Sequence, residues 1–170
     1  MNKTIKIFKS TALIVIVVTA FAMPVSADNN AEKATLQAAL MLKLLPYYEN
    51  LKGKNFRIHC IGAPDVAVQL RTQLGKSFGQ GTLRDVTDST GMPDGHADIV
   101  FWGDGADLAA ITNREGMLSI SGNSSFVENG VTLGIVLQGN QRPQILLNLE
   151  SSRTEGAEWK PAILEVVTTF

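Results

Sequence analysis

Two stretches of this chain follow one plan: FRIHCIGAPDVAVQL from Phe56 and ADIVFWGDGADLAAI from Ala97. Each opens on a strand-like run, turns at a glycine, and continues with helical spacing. In the first, Phe56, Ile58 and Cys60 alternate with Arg57, His59 and Ile61, a period of two. Pro64 suits the first turn of a helix and Asp65 its positive end. Val66, Leu70 and Leu74 then recur every fourth residue, and Gly75 can end the run. In the second, Ala97 to Trp102 is apolar but for Asp98, as in a strand covered on both faces. Asp104 can cap a following helix with Leu108 and Ile111 facing inward. Strands alternating with helices demand parallel pairing through right-handed crossovers, with helices on both faces of the sheet.

The other segments fit around that unit. AEKATLQAALMLKLL, Ala31 to Leu45, is rich in helix formers, apolar around most of its circumference, and stopped by Pro46. Burial on several sides is expected of it. Short strands are expected at Thr82–Val86 and Met117–Ser121, and Ser125 with Glu128 has capping-box spacing closed by Gly130. In VTLGIVLQGNQRPQILLNLESS, Val131, Leu133, Ile135 and Leu137 share one face, and Ile145, Leu147 and Leu149 share another. GNQRP between them makes an antiparallel hairpin. Ser152 and Glu155 repeat the capping-box spacing before a last helical segment, with Asn148 and Ser151 expected to satisfy backbone groups where it begins. The expected fold is α/β: a three-layer sandwich, its sheet mostly parallel with a C-terminal antiparallel hairpin, and helices on both faces.

The start of the chain has a different job. Lys3, Lys6 and Lys9 precede an apolar run from Thr11 to Met23, then Pro24 and the small residues Ser26 and Ala27. Thirteen helical residues span roughly 20 Å, short of a bilayer's roughly 30 Å apolar core. A secretory signal peptide over residues 1–27, cleaved after Ala27, is expected, leaving one domain over residues 28–170. Removing the leader's three lysines from 15 basic residues leaves 12 against 16 acidic ones, a formal net charge of −4. No basic stretch can follow a phosphate backbone, so nucleic acid is not an expected partner. One cysteine, Cys60, cannot make an internal disulfide.

Catalytic patterns are missing. His59 and His96 lie in unrelated segments without metal-ligand spacing, and Cys60 reads as a small buried strand residue. Gly103-Asp104-Gly105 sits where backbone amides could hold an anion, yet neither the phosphate-loop Gly-Lys-Ser/Thr nor a dinucleotide fingerprint is present. Ser121 and Ser124 have no nucleophile-elbow context. Asp94 and Asp98, a loop acid beside a strand-start acid, make no positioned acid–base pair. No enzyme activity, metal or cofactor is expected.

From Ala31 to Thr168 the ordered segments resemble the YfiR/HmsC family of small periplasmic regulators. The resemblance lies in the apolar first helix (ATLQAALMLKLLPYYENL), the strand with its glycine turn (FRIHCIGAPDVAVQL), HADIVFWG, and the run LSISGNSSFVENGVTLGIVLQGNQRPQILLNLESS with Phe126, Gly130, Asn148 and Leu149. Departures are Pro46 preceding Tyr47-Tyr48, where the family has an aromatic-Pro pair, and the single cysteine, so redox regulation does not carry over.

The resemblance implies a periplasmic protein that binds the periplasmic part of an inner-membrane diguanylate cyclase and represses it, lowering cyclic-di-GMP signalling and biofilm formation. The alternative is a periplasmic small-molecule sensor. In open α/β sheets ligands sit beyond the carboxyl ends of the strands, which puts Gly62, Gly103 and Gly122 at a candidate crevice. Tyr47, Tyr48 and the turn from Phe126 to Gly130 are the candidate contacts for a protein partner. A small ligand and a second copy, giving a homodimer, are further partners compatible with this reading.

Overall fold

The computed structural model describes residues 25–93, 95–111, 114–138 and 142–170. The expected signal peptide therefore lies almost wholly outside the described residues, as do Asp94 and the hairpin turn at 139–141. The strands are β1 (Asn55–Ile61), β2 (Ser77–Phe78), β3 (Gly81–Ser89), β4 (Ile99–Trp102), β5 (Leu118–Ser121), β6 (Leu133–Gln138), β7 (Arg142–Leu147) and β8 (Thr168–Thr169). The helices are α1 (Val25–Leu44), α2 (Pro64–Arg71), α3 (Ser124–Glu128) and α4 (Leu149–Thr154). Among the described residues no helix is long and apolar enough to cross a membrane.

All eight strands form one sheet in the order β2-β3-β1-β4-β5-β6-β7-β8. Every pair from β3 to β6 is parallel, as is β7 with β8, while β2–β3 and β6–β7 are antiparallel. The sheet is mixed and mostly parallel, as the alternating segments require. The chain leaves β1 through α2 to reach β3 on one side, then returns past β1 and steps through β4, β5 and β6 on the other. Right-handed crossovers running in opposite directions fall on opposite faces.

That reversal explains the two cores. On the first face Phe56, Ile58, Cys60, Ile99, Phe101, Leu118 and Ile120 pack against Ala34, Ala38 and Met41 of α1 and Val66, Ala67 and Leu70 of α2. On the second, Ile61, Val100, Trp102 and Met117 pack with Phe126 of α3 and Val131. Each fully buried Leu, Ile or Phe stabilises by about 1.5–3 kcal/mol. Because α2 alone is too short to cover the first face, α1 completes it. Its Glu32, Thr35, Ala39 and Lys43 are left as an exposed stripe. Pro46 ends α1 by starting a 3₁₀ turn, Leu45–Tyr47.

Several local expectations give way to longer-range contacts. The α2 helix stops at Arg71, so Leu74 falls outside it and is exposed. Among the described residues no α-helix lies between β4 and β5: Asp107, not Asp104, caps a 3₁₀ turn at Leu108–Ala110, where Leu108 is exposed although Ile111 does pack on the second core. The strand expected at Thr82–Val86 runs on to Ser89 because β1 pairs with it along its length. The hairpin is antiparallel as expected, but its turn is shorter than GNQRP: Arg142 and Pro143 already pair with Gln138 and Leu137, so Leu133 faces Leu147 and Ile135 faces Ile145. Leu149 does not continue that face. It begins α4 and is exposed.

Both expected capping boxes use other residues. Asn123 caps α3 through its side-chain oxygen. Asn148 caps α4 by accepting from the Ser151 amide, and Glu155 lies past that helix, fully buried. The final segment is a 3₁₀ turn, Pro161–Glu165.

Candidate functional site

Where the winding direction reverses, the loops after β1 and β4 leave toward opposite faces, and a crevice opens between them. It holds about 200 Å³ and is lined by Gly62, Gly103 and Gly122 at the carboxyl ends of β1, β4 and β5. The three glycines singled out in the sequence thus meet at one place. Backbone crowding dictates them. Gly62 has φ of +62°, and a Cβ there would lie 2.5 Å from the Ala106 nitrogen. The Gly103 amide donates to the Ile61 carbonyl at 2.8 Å, and a Cβ on Gly103 would lie 2.5 Å from the Gly62 oxygen. At Gly122 the obstacle is the Gln37 side chain lying directly over it.

Helix α1 roofs the crevice. Asn30, Lys33, Ala34 and Gln37 line it, and their spacing of three and four residues puts them on one face of the helix. Lys33 Nζ donates to Asp104 Oδ2 at 2.7 Å, joining the roof to the loop after β4. The other Asp104 oxygen accepts from Asn123 Nδ2 at 3.2 Å. Gln37 is buried and its Nε2 donates to the Ile135 carbonyl at 3.4 Å. Phe101, Ala63 and Val66 supply apolar wall. The lining carries amides and opposite charges but no hydroxyl, thiol or imidazole. It is equipped to hold a small polar molecule.

The remaining singled-out residues do not join this crevice. Tyr48 is 3% exposed, with its ring 5.1 Å from that of Trp159, and its hydroxyl has no hydrogen-bond partner among the described residues. Burial, reinforced by Glu155, Asp98 and Glu158, pushes its phenol well above the ordinary tyrosine range. Tyr47 is half-buried against the first core, and Phe126 belongs to the second. Neither Tyr48 nor Phe126 presents a contact surface.

Pattern reading missed that both histidines line a second crevice, of about 280 Å³, on the other face. His59 Nδ1 lies 2.7 Å from Thr87 Oγ1, and Nε2 lies 3.0 Å from both Ser89 Oγ and the Gly91 carbonyl. A carbonyl only accepts, so Nε2 carries a proton and donates to it. His96 instead pairs with Asp98 at 3.3 Å, and Asp98 Oδ2 accepts from the Arg57 amide at 2.9 Å. Among the described residues no three His, Cys, Asp or Glu side chains gather as a metal site. The signal that could have paired the histidines was register, since His59 lies opposite Thr87 on β3 and Val100 on β4.

A family model described as YfiR/HmsC-like matches residues 34–168. No curated protein matches the chain.

Proposed function

The chain belongs to the YfiR/HmsC-like family, and on that footing we propose that it docks on the periplasmic part of an inner-membrane diguanylate cyclase and represses it. Repression lowers cyclic-di-GMP signalling and biofilm formation. The family match across residues 34–168 carries this reading, because it makes the chain a periplasmic regulator by kinship. The lining of the crevice beneath α1 supports it, since it carries amides and charges suited to binding and no hydroxyl, thiol or imidazole. Repression needs no bond chemistry: binding the inactive cyclase tenfold better than the active one supplies about 1.4 kcal/mol of bias. In this reading the protein is not an enzyme and carries a signal peptide cleaved after Ala27.

The test is co-purification of membrane proteins with the tagged full chain, together with cellular cyclic-di-GMP after deletion of its gene. Recovery of a diguanylate cyclase and a rise in cyclic-di-GMP are the expected results. Unchanged cyclic-di-GMP with no cyclase recovered would overturn the proposal.

The crevice favours a second reading, a periplasmic small-molecule sensor. A pocket at the sheet's reversal point, with amides and paired charges at its rim, is where such folds take ligands. The two readings combine if the ligand tunes the docking.

A further inference from the structure

We propose that the crevice beneath α1 binds a small zwitterion of the α-amino acid class, its carboxylate on Lys33 and its ammonium on Asp104. The proposal rests on the small-molecule reading of this same crevice and names its ligand class.

The charges at the mouth carry it. Lys33 and Asp104 stand 2.7 Å apart, and their side chains are 37% and 60% exposed. An ion pair that exposed contributes little, so opening it costs little. A ligand with a single charge would satisfy one partner and strand the other. A zwitterion replaces the one pair by two, leaving neither Lys33 nor Asp104 unmatched, and the lining's second carboxylate, Asp65, adds to its preference for an ammonium. Asn123 holds Asp104 from its other oxygen, so the carboxylate stays in position when Lys33 turns to a ligand.

The interior agrees with the mouth. Gln37 is 4% exposed, and among the described residues no group donates to its Oε1. It lines the crevice over Gly122 and offers an acceptor to an ammonium N–H. Ala34, Ala63, Val66 and Phe101 supply the apolar wall against which an aliphatic side chain can rest. Size sets the upper bound. Pockets for drug-sized ligands run from roughly 300 to 1,000 Å³, so about 200 Å³ suits an amino acid and not a nucleotide.

Isothermal titration of the full chain with glycine, L-alanine and L-leucine tests this, with acetate and ethylammonium as single-charge controls. Saturable binding of at least one amino acid, and none of either control at the same concentration, is expected. Lys33→Ala at a half-buried position and Asp104→Asn at an exposed one, both verified as folded by circular dichroism, should each weaken binding at least tenfold. Two outcomes overturn the zwitterion while leaving the small-molecule reading intact: a control binding as tightly as the amino acid, or both variants binding like the parent. Absence of saturable binding here, with no thermal shift from nucleotides or aromatic compounds either, overturns both.

Discussion

The carboxylate of Glu155 accepts hydrogen bonds from both the backbone amide and the hydroxyl of Ser119, 36 residues earlier. The Ser119 hydroxyl in turn accepts from the Thr132 amide at 2.9 Å. One acid at the end of α4 thereby ties that helix to β5 and to the approach to β6. Glu155 is fully buried, and none of the ion pairs among the described residues includes it. Burial pushes its carboxyl from 4.5 up to about 7, with the Ser119 hydrogen bonds pulling the other way.

Folding therefore takes up a proton at Glu155 between pH 4.5 and 7. The stabilisation this confers is complete below pH 4.5 and is lost as pH rises through 7, about 3 kcal/mol in all. Denaturant melts at pH 5 and pH 8, taken as roughly the two ends of this linkage window, should show a larger loss of stability for the parent than for Glu155→Gln, whose amide does not titrate. Identical losses in the two proteins would assign the linkage to another group.

Gly62→Ala should destabilise by about 3 kcal/mol or more, since it adds left-handed strain to a 2.5 Å clash with the loop after β4. Gly53→Ala is the control. Its φ of +71° carries the same strain but a Cβ there meets nothing within 4 Å, so about 1 kcal/mol is expected. Urea midpoints of the two variants measure the difference, and equal losses would mean that the approach of the two loops is not tight.

Tyr48→Phe should be neutral or stabilising by about 1 kcal/mol, because it removes a buried hydroxyl that has no partner and keeps the ring against Trp159. A loss above about 1 kcal/mol in thermal denaturation would reveal a partner for that oxygen.

Cys60 is fully buried, and burial, with Asp88 adding to it, pushes its thiol up to about 12. A disulfide reagent at about pH 8 should leave the folded protein unlabelled and modify it stoichiometrically in denaturant. The labelling rate then reports opening of the first core. Rapid labelling without denaturant would contradict the burial.

The parts legible in the sequence were those set by neighbours along the chain. The alternation around Ile58, the turn at Gly62 and the antiparallel pairing of β6 with β7 all follow from local spacing and stand as expected. Asn148 likewise caps α4. The errors fell where a distant contact overrode a local rule. Glu155 has capping-box spacing from Ser152, but a fully buried carboxylate goes to the nearest free donors, and Ser119 supplies them. Leu108 has helical spacing from Asp104, yet Gly103 and Gly105 must pack against Gly62, and only a 3₁₀ turn forms there. The strand-end glycines could be placed near one another from topology alone. Lys33 and Gln37 could not, because nothing in the sequence says where the first helix lies on the sheet.

The eight-stranded sheet is bounded at each side by a strand of two residues, β2 and β8. Stubs that short cover only Gly81 and Thr82 of β3 and Leu146 and Leu147 of β7, so among the described residues 84–89 and 142–145 keep an outer edge with no strand beside it. An extended chain arriving there meets the charges of Arg84, Asp85, Asp88 and Arg142, which oppose its adding to either side of the molecule.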